Sequence, residues 1–212
     1  MDGVTRLSPE ARRDEIIAAA LRVASTKGLA NTTVRDVAAE MGTSSGLIHH
    51  YFASMDDVLA AAFEKAAGAD LAKTETAMGA CAGATERLAT FFASYTRTDY
   101  GAFQMWLDAW AEASRRPALG ATSRRFNVAW QRLIATAIVD GIGDGTFTCD
   151  DPDAAAWRVL SLLDGLNLQL AAHPGVIEND LVFDWAMTSM ESELGLPTGS
   201  LVRPITGSDS PS

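Results

Sequence analysis

Apolar residues recur at helical spacing along most of the chain, and the strict alternation that marks strands is nearly absent. Ile17, Leu21 and Ala24 share one face, flanked by Ile16, Ala20 and Val23, which predicts a first helix. Ser8 supplies its N-cap, Pro9 its first residue and Gly28 its end after Lys27. Thr33 opens a short second helix carrying Val34, Val37, Ala38 and Met41, and Gly42 stops it. Ser44 is placed to cap a third helix, from Ser45 to about Phe52. Ser54 with Asp57 has the capping-box pattern and predicts a long fourth helix, from Met55 to about Met78.

Beyond a small-residue joint at Gly79 to Gly83, four or five longer helices are expected. Phe103, Trp106, Leu107 and Trp110 mark one; Phe126, Trp130, Leu133, Ile134 and Ala137 mark another. Gly141 to Asp153, with three glycines and a proline, reads as a loop. Val159 to Leu170 is apolar on more than one face, so it should be covered on several sides. Leu181, Trp185 and Met190 mark the last helix, and the Gly, Pro and Ser of residues 196–212 predict a mobile tail. The fold class is therefore all-α, with a small N-terminal bundle and a larger C-terminal one.

Charge sharpens that division. The net charge is −10. Residues 1–52 are balanced, with six Arg/Lys against six Asp/Glu, while residues 53–212 hold eleven against twenty-one. A neutral head on an acidic body remains compatible with DNA when the head's cations point one way. No apolar run approaches the roughly 18 residues of a membrane span, and the first residues lack the apolar core of a signal peptide. Cys81 and Cys149 are far apart and have no metal-ligand spacing, so free thiols in a reducing cytoplasm are expected.

The strongest motif is residues 32–52, Thr-Thr-Val-Arg-Asp-Val-Ala-Ala-Glu-Met-Gly-Thr-Ser-Ser-Gly-Leu-Ile-His-His-Tyr-Phe. It is a short helix, a tight turn at Gly42 and a second short helix. That is the helix-turn-helix order, in which the second helix enters the major groove. Val37, Ala38 and Leu47 are the natural contacts between the two helices, and Phe52 and Leu59 read as core. Small polar residues at the start of the second helix allow close approach to base edges and phosphates.

Residues 9–62 resemble the DNA-binding head of the tetracycline-repressor (TetR) family. The resemblance is carried by Thr33, Val37-Ala38, Gly42, Ser44, Gly46, His50-Tyr51-Phe52, and Ser54 with Leu59. It implies that Thr33 and Arg35 contact phosphate. It implies that Thr43, Ser44, Ser45, Gly46, Leu47 and His49 face bases or the groove floor, and that His50 and Tyr51 grip the DNA backbone. The family usually carries a phosphate-directed Lys just after Ala53-Ser54; this chain has Met55 there. The resemblance further implies a C-terminal ligand-binding and dimerisation domain, assigned to residues 84–195.

Within that region Trp106 to Glu112, Trp130, Gly145-Thr146-Phe147 and Asp164-Gly165-Leu166 are similar to a subgroup of the same family, related to choline-responsive regulators of betaine synthesis. Phe103, Trp106, Trp110, Phe126 and Trp130, with Asp164, are the candidate effector residues; Trp157, Asp108 and Glu112 lie in the same stretch. Aromatic faces with carboxylates suit an organic cation. The same pattern also fits core aromatics beside solvated acids, which admits an apolar effector. Asp164 interrupts an apolar helix and requires a partner, for which Arg158, Arg132 and a ligand cation are the candidates. Surplus apolar surface on residues 154–172 and 179–194 predicts a homodimer. Such a dimer sets two recognition helices roughly 34–36 Å apart, one turn of B-DNA.

Enzymatic readings fail on context. Gly42-Thr43-Ser44-Ser45-Gly46 fits a hydrolase pattern that needs a strand before its serine, and a helix precedes it here. Gly141 to Gly145 lacks the strand before it and the Lys after it that a phosphate loop requires. No histidine follows a Glu by three residues, as a carboxylate-bridged metal bundle would ask. The expectation is a cytoplasmic, homodimeric repressor without cofactor that leaves operator DNA when a small molecule binds. The alternative is a small-molecule-binding or enzymatic helical protein with a vestigial head.

Overall fold

The computed structural model describes residues 8–96 and 100–201. Among them every regular element is a helix. The first four are α1 (Pro9–Lys27), α2 (Val34–Glu40), α3 (Ser45–Tyr51) and α4 (Met55–Gly79). They are followed by α5 (Ala84–Thr96), α6 (Tyr100–Glu112), α7 (Pro117–Gly143), α8 (Pro152–Ala172) and α9 (Asn179–Glu193). The chain divides into two compact units, Met1–Ala69 with Gly101–Phe126, and Asp70–Tyr100 with Asn127–Ser212. Both α4 and α7 pass from one unit into the other.

In the first unit the helix ends follow local chemistry. The Ser8 hydroxyl accepts the Ala11 N–H, closing the start of α1. At α2 the cap is reciprocal: Thr33 accepts the Asp36 N–H, and the Asp36 carboxylate accepts the Thr33 N–H. Gly42 turns the chain toward α3 with φ of 62°, a left-handed conformation that a side chain disfavours. Ser54 and Asp57 bond to each other at the start of α4. One core joins Ile16, Ile17, Val37, Ala38, Ile48, Phe52 and Val58. A second joins Leu29, Leu59, Phe63, Ala67, Ala109 and Leu119, with Met55, Trp106 and Phe126 against it.

The second unit has one large core. It includes Leu88, Phe91 and Phe92 of α5, Ile134 and Ile138 of α7, Val159 and Leu163 of α8, and Val182 and Met190 of α9. Two expectations change here. Gly141 does not begin a loop, because α7 continues to Gly143. The Phe147 ring folds back to 2.2 Å from where a Gly141 Cβ would sit, so the helix needs glycine there to seat the ring. The tail of residues 196–212 is not mobile in its first part. Buried Glu191 accepts the N–H groups of Gly199 and Leu201, and Leu201 sits in the core with 2% exposure. The Gly-Pro-Ser composition hid one apolar anchor and one buried carboxylate that satisfies the backbone around it. Residues 202–212 lie outside the described residues.

Candidate nucleic-acid interface and effector region

The candidate recognition surface is built around a single anchor. Ile48 is 1% exposed and packs with Val37, Ala38 and Phe52, tying α3 to α2 and α1. Leu47, expected in that contact, is instead half-buried and outside the core, because on so short a helix the inward position falls one residue later. Around the anchor Ser44, Gly46, His49 and His50 are exposed, and Thr43, Ser45, Leu47 and Tyr51 are half-buried. Ser44 occupies the N-cap position of α3, yet its side chain makes no capping bond. A Gly46 Cβ would meet only the Ser44 hydroxyl, at an ordinary 3.7 Å, so the fold itself does not demand glycine there. His50 and Tyr51 stand edge to face with ring centroids 5.0 Å apart.

Thr33 is assigned differently from the expectation. Its hydroxyl donates to Asp36 at 2.6 Å and its backbone N–H goes to the same carboxylate at 3.0 Å. Neither donor is left for a phosphate, so in this structure Thr33 positions α2. Lys27 also bonds Asp36, and these hydrogen bonds pull its carboxyl down from 3.8 to about 2. Arg35 is exposed on the same helix.

Head cations are mostly occupied. Arg12 pairs with Glu15 at 2.7 Å, Arg22 with Glu40 at 2.6 Å and Lys27 with Asp36 at 2.5 Å. Arg13 donates to the Tyr51 carbonyl at 3.3 Å, and its guanidinium carbon lies 4.0 Å from the Phe52 ring centroid. Met55, where the resemblance expects a cation, is half-buried and packs against both cores of the first unit.

Two carboxylates fasten the rest of that unit to the head. Asp56 at the start of α4 accepts the N–H groups of Ala118 and Leu119, at 2.9 and 3.1 Å, so it holds the first turn of α7. Asp108 of α6 accepts the Leu29 N–H at 2.7 Å and is itself held by Gln104 at 2.9 Å. The sequence pattern of Asp108 fits a solvated acid because its partner is a backbone N–H group, which leaves no residue signature.

The effector candidates are not one cluster. Phe103, Trp106, Trp110 and Phe126 belong to the first unit, Trp130 and Asp164 to the second. In the first unit Phe63 meets Trp106 edge to face at 4.8 Å and Phe126 at 6.5 Å, while Trp110 packs on both Phe103 and Trp106. The nearby acids are committed elsewhere: Asp108 as above, and Glu112 to Arg115 and Arg116, whose hydrogen bonds lower its pKa. That set is an aromatic packing cluster. In the second unit the side-chain partner of Asp164 is neither of the two arginines weighed from sequence, Arg158 and Arg132. Arg158 pairs with Glu193, and Tyr95 donates its hydroxyl to Asp164 at 2.5 Å. Burial raises the Asp164 carboxyl from 3.8 to about 6, against the lowering effect of that bond. Burial first, then the Asp164 charge, pushes the Tyr95 hydroxyl well above its ordinary value. Phe91 lies between Tyr95 and Trp130, with centroids 5.9 and 6.2 Å away. Tyr95 is not singled out in the sequence; its signal is the helical spacing it shares with the core residues Leu88, Phe91 and Phe92 of α5.

On α8 and α9 the inner faces are buried, and large apolar groups remain outside. Trp157 is 38% and Trp185 48% exposed, with Leu168 and Leu181 similar. The face expected to mark the last helix, Leu181 and Trp185, is thus the outward one; Val182, Phe183, Ala186 and Met187 form its core side.

Comparisons with known proteins agree with this layout. Residues 16–62 match the family described as bacterial regulatory proteins, tetR family. Residues 82–195 match that described as BetI-type transcriptional repressor, C-terminal. The HTH-type transcriptional regulator BetI of Paraburkholderia xenovorans is 31% identical over 171 residues, 76% of this chain and 82% of the relative. BetI of Rhizobium meliloti is 29% identical over 161 residues, 74% and 77% of the two chains. Among solved structures, a transcriptional regulator from Saccharomonospora viridis in complex with choline has a TM-score of 0.77 and 26% identity. That match covers 88% of this chain and 98% of the other.

Proposed function

The chain belongs to the TetR family of bacterial transcriptional regulators, with a C-terminal half of the BetI-type repressor class, and we propose that it is a cytoplasmic homodimer that blocks a promoter and leaves its operator when a small molecule binds. The observation that carries the DNA-binding part is the single-anchor build of α3. Ile48 fixes it from within, and Thr43, Ser44, Ser45, Gly46, Leu47 and His49 are left toward the groove. Arg35, His50 and Tyr51 take phosphate, which positions the helix without specifying sequence. We keep residues 9–62 as the DNA-binding domain and 84–195 as the effector and dimerisation domain.

The test is a mobility shift with duplexes from around the chain's own gene, comparing the unsubstituted chain with His50→Ala and Tyr51→Ala. Weaker binding by both variants is expected; equal binding by all three rejects the assignment. Family membership favours this reading over an enzyme, and among the described residues no helix is long and apolar enough to cross a membrane.

For the effector we propose an organic cation at Asp164. The supporting observations are a half-buried carboxylate with one hydroxyl partner and the neighbouring Phe91, Tyr95 and Trp130 rings. The choline bound by the Saccharomonospora viridis relative supports the same class. The competing effector is an apolar compound, for which Phe103, Trp106, Trp110 and Phe126 offer surface. Calorimetry with choline against neutral isosteres decides. Because the carboxyl is held near 6, cation affinity should weaken as pH falls through about 6; binding of the neutral set alone rejects the cation.

The dimer is proposed through the outward faces of α8 and α9, where Trp157, Leu168, Leu181 and Trp185 are exposed. Ligand binding then acts by favouring one spacing of the two heads over the other, since equal affinity for both would shift nothing.

A further inference from the structure

We propose that Arg13 of α1 is a phosphate-contacting residue of the DNA-binding surface, supplying at the C-terminal end of α3 the cation that position 55 lacks. This rests on the DNA-binding reading of α3 above. Four observations carry it.

First, the head has little free positive charge to offer. Arg12, Arg22 and Lys27 are each paired with an acid of the head itself. Among the described residues of α1 to α3, Arg13 and Arg35 are the cations outside an ion pair. Second, Arg13 is held where the interface needs it. One N–H of Nη1 goes to the carbonyl of Tyr51, the last residue of α3. Third, its plane is fixed. The guanidinium lies 4.0 Å over Phe52, whose ring is itself locked in the head core. A stacked, singly bonded guanidinium is pre-organised, so little side-chain freedom remains to be lost on binding. Fourth, donors remain. Guanidinium carries five N–H groups, the bond to the Tyr51 carbonyl uses one, and the Arg13 side chain is exposed. Arg forks match phosphate oxygens in pairs.

A simple structural cap would explain the Tyr51 bond alone, since a cation near a helix C-terminus is favourable there. The two roles differ in one readout. A phosphate contact releases counterions and steepens the dependence of affinity on salt, and a cap does not.

The experiment is fluorescence anisotropy of the full-length chain with a labelled duplex of mixed sequence, long enough for two heads, across a potassium chloride series. The chains compared are the unsubstituted protein, Arg13→Gln, Arg13→Lys and Arg12→Ala, each with its thermal midpoint measured by circular dichroism. Gln keeps a donor for the Tyr51 carbonyl and removes the charge. The expected result for Arg13→Gln is a salt slope shallower by about 0.9 for each head bound, and affinity about tenfold lower at low salt. Arg13→Lys keeps the slope, and Arg12→Ala, whose charge is already paired, matches the unsubstituted chain. Weaker binding by Arg13→Gln with an unchanged slope, or no weakening at all, overturns the proposal and leaves the DNA-binding reading intact. A chain that binds no duplex at any salt overturns both. If Arg13→Gln melts below the assay temperature, the Arg13→Lys and Arg12→Ala slopes decide: a slope lost with Lys, or lost equally with Arg12→Ala, overturns it.

Discussion

The outward face of α3 and the outward faces of α8 and α9 are both left uncovered by the chain, and they are made of opposite materials. On α3 the exposed groups are small, polar or imidazole, around one buried isoleucine. On α8 and α9 they are two tryptophans and two leucines above a continuous core. Polar groups left in water keep their hydration until a partner replaces it with matched hydrogen bonds, as nucleic acid does. Large apolar groups in water favour burial against a shape-matched protein surface. On the proposed reading the difference teaches how the two halves divide the work: the polar face is covered only when DNA is present, and the apolar face gains from pairing at all times.

The sharpest way to break the comparison is to make the second face polar. Trp157→Glu with Trp185→Glu places four like charges across a two-fold interface, since each partner contributes both. Sedimentation should show monomers, and affinity for a two-half-site duplex should fall by more than about 100-fold through loss of the linked second head. Dimers that persist would reject the assignment of the face. Next in size are the α3 flank residues. His50→Ala or Tyr51→Ala should weaken duplex binding by about tenfold, as expected for loss of one well-placed contact, with sedimentation unchanged. A variant that dissociates the dimer instead would show that the two surfaces are not independent.

The two surfaces were unequally legible in the sequence. The head could be read because its signals are local. Ser8, Thr33, Gly42 and Ser54 act within three or four residues of themselves, and the helix order follows from them. Leu47 and Ile48 show the limit: two adjacent aliphatics on a seven-residue helix do not reveal which faces inward. The C-terminal half depends on distant partners. Asp108 to Leu29 spans 79 positions and Tyr95 to Asp164 spans 69, and nothing in either neighbourhood announces the other. Glu191 reaches only 8 and 10 positions ahead, but its partners are the backbone N–H groups of Gly199 and Leu201, which carry no residue signature. The six effector candidates were grouped by chemistry, whereas the chain distributes them over two units.

Smaller effects sharpen the contrast between engaged and strained carboxylates. Asp56 and Asp108 accept backbone N–H groups, while Asp164 has its pKa raised by burial to about 6. The folded chain keeps that proton while the unfolded chain loses it near 3.8, so stability falls as pH rises from about 4 to about 6 and stays lower above. Asp164→Asn removes the penalty. It should raise the unfolding free energy by about 1–3 kcal/mol at neutral pH, and the gain should vanish below about pH 4 in denaturant titrations. Asp36 has the opposite sign: its contribution is present above 3.8 and disappears as pH falls toward about 2. The smallest change is Met55→Lys. Its stem can lie along the two cores while the amine reaches water, and duplex affinity should rise a few-fold with a salt slope steeper by about 0.9 per head.

The central claim, that α3 reads DNA in a two-fold pair, is tested most directly by selection from random duplexes with the full-length chain. The account predicts enrichment of a two-fold symmetric site whose half-sites are spaced by whole turns of B-DNA, about 34–36 Å each, and loss of that enrichment in a Ser44→Ala, His49→Ala variant that still sediments as the unsubstituted chain does. A selection that yields no common sequence, or the same sequence with the variant, would contradict it.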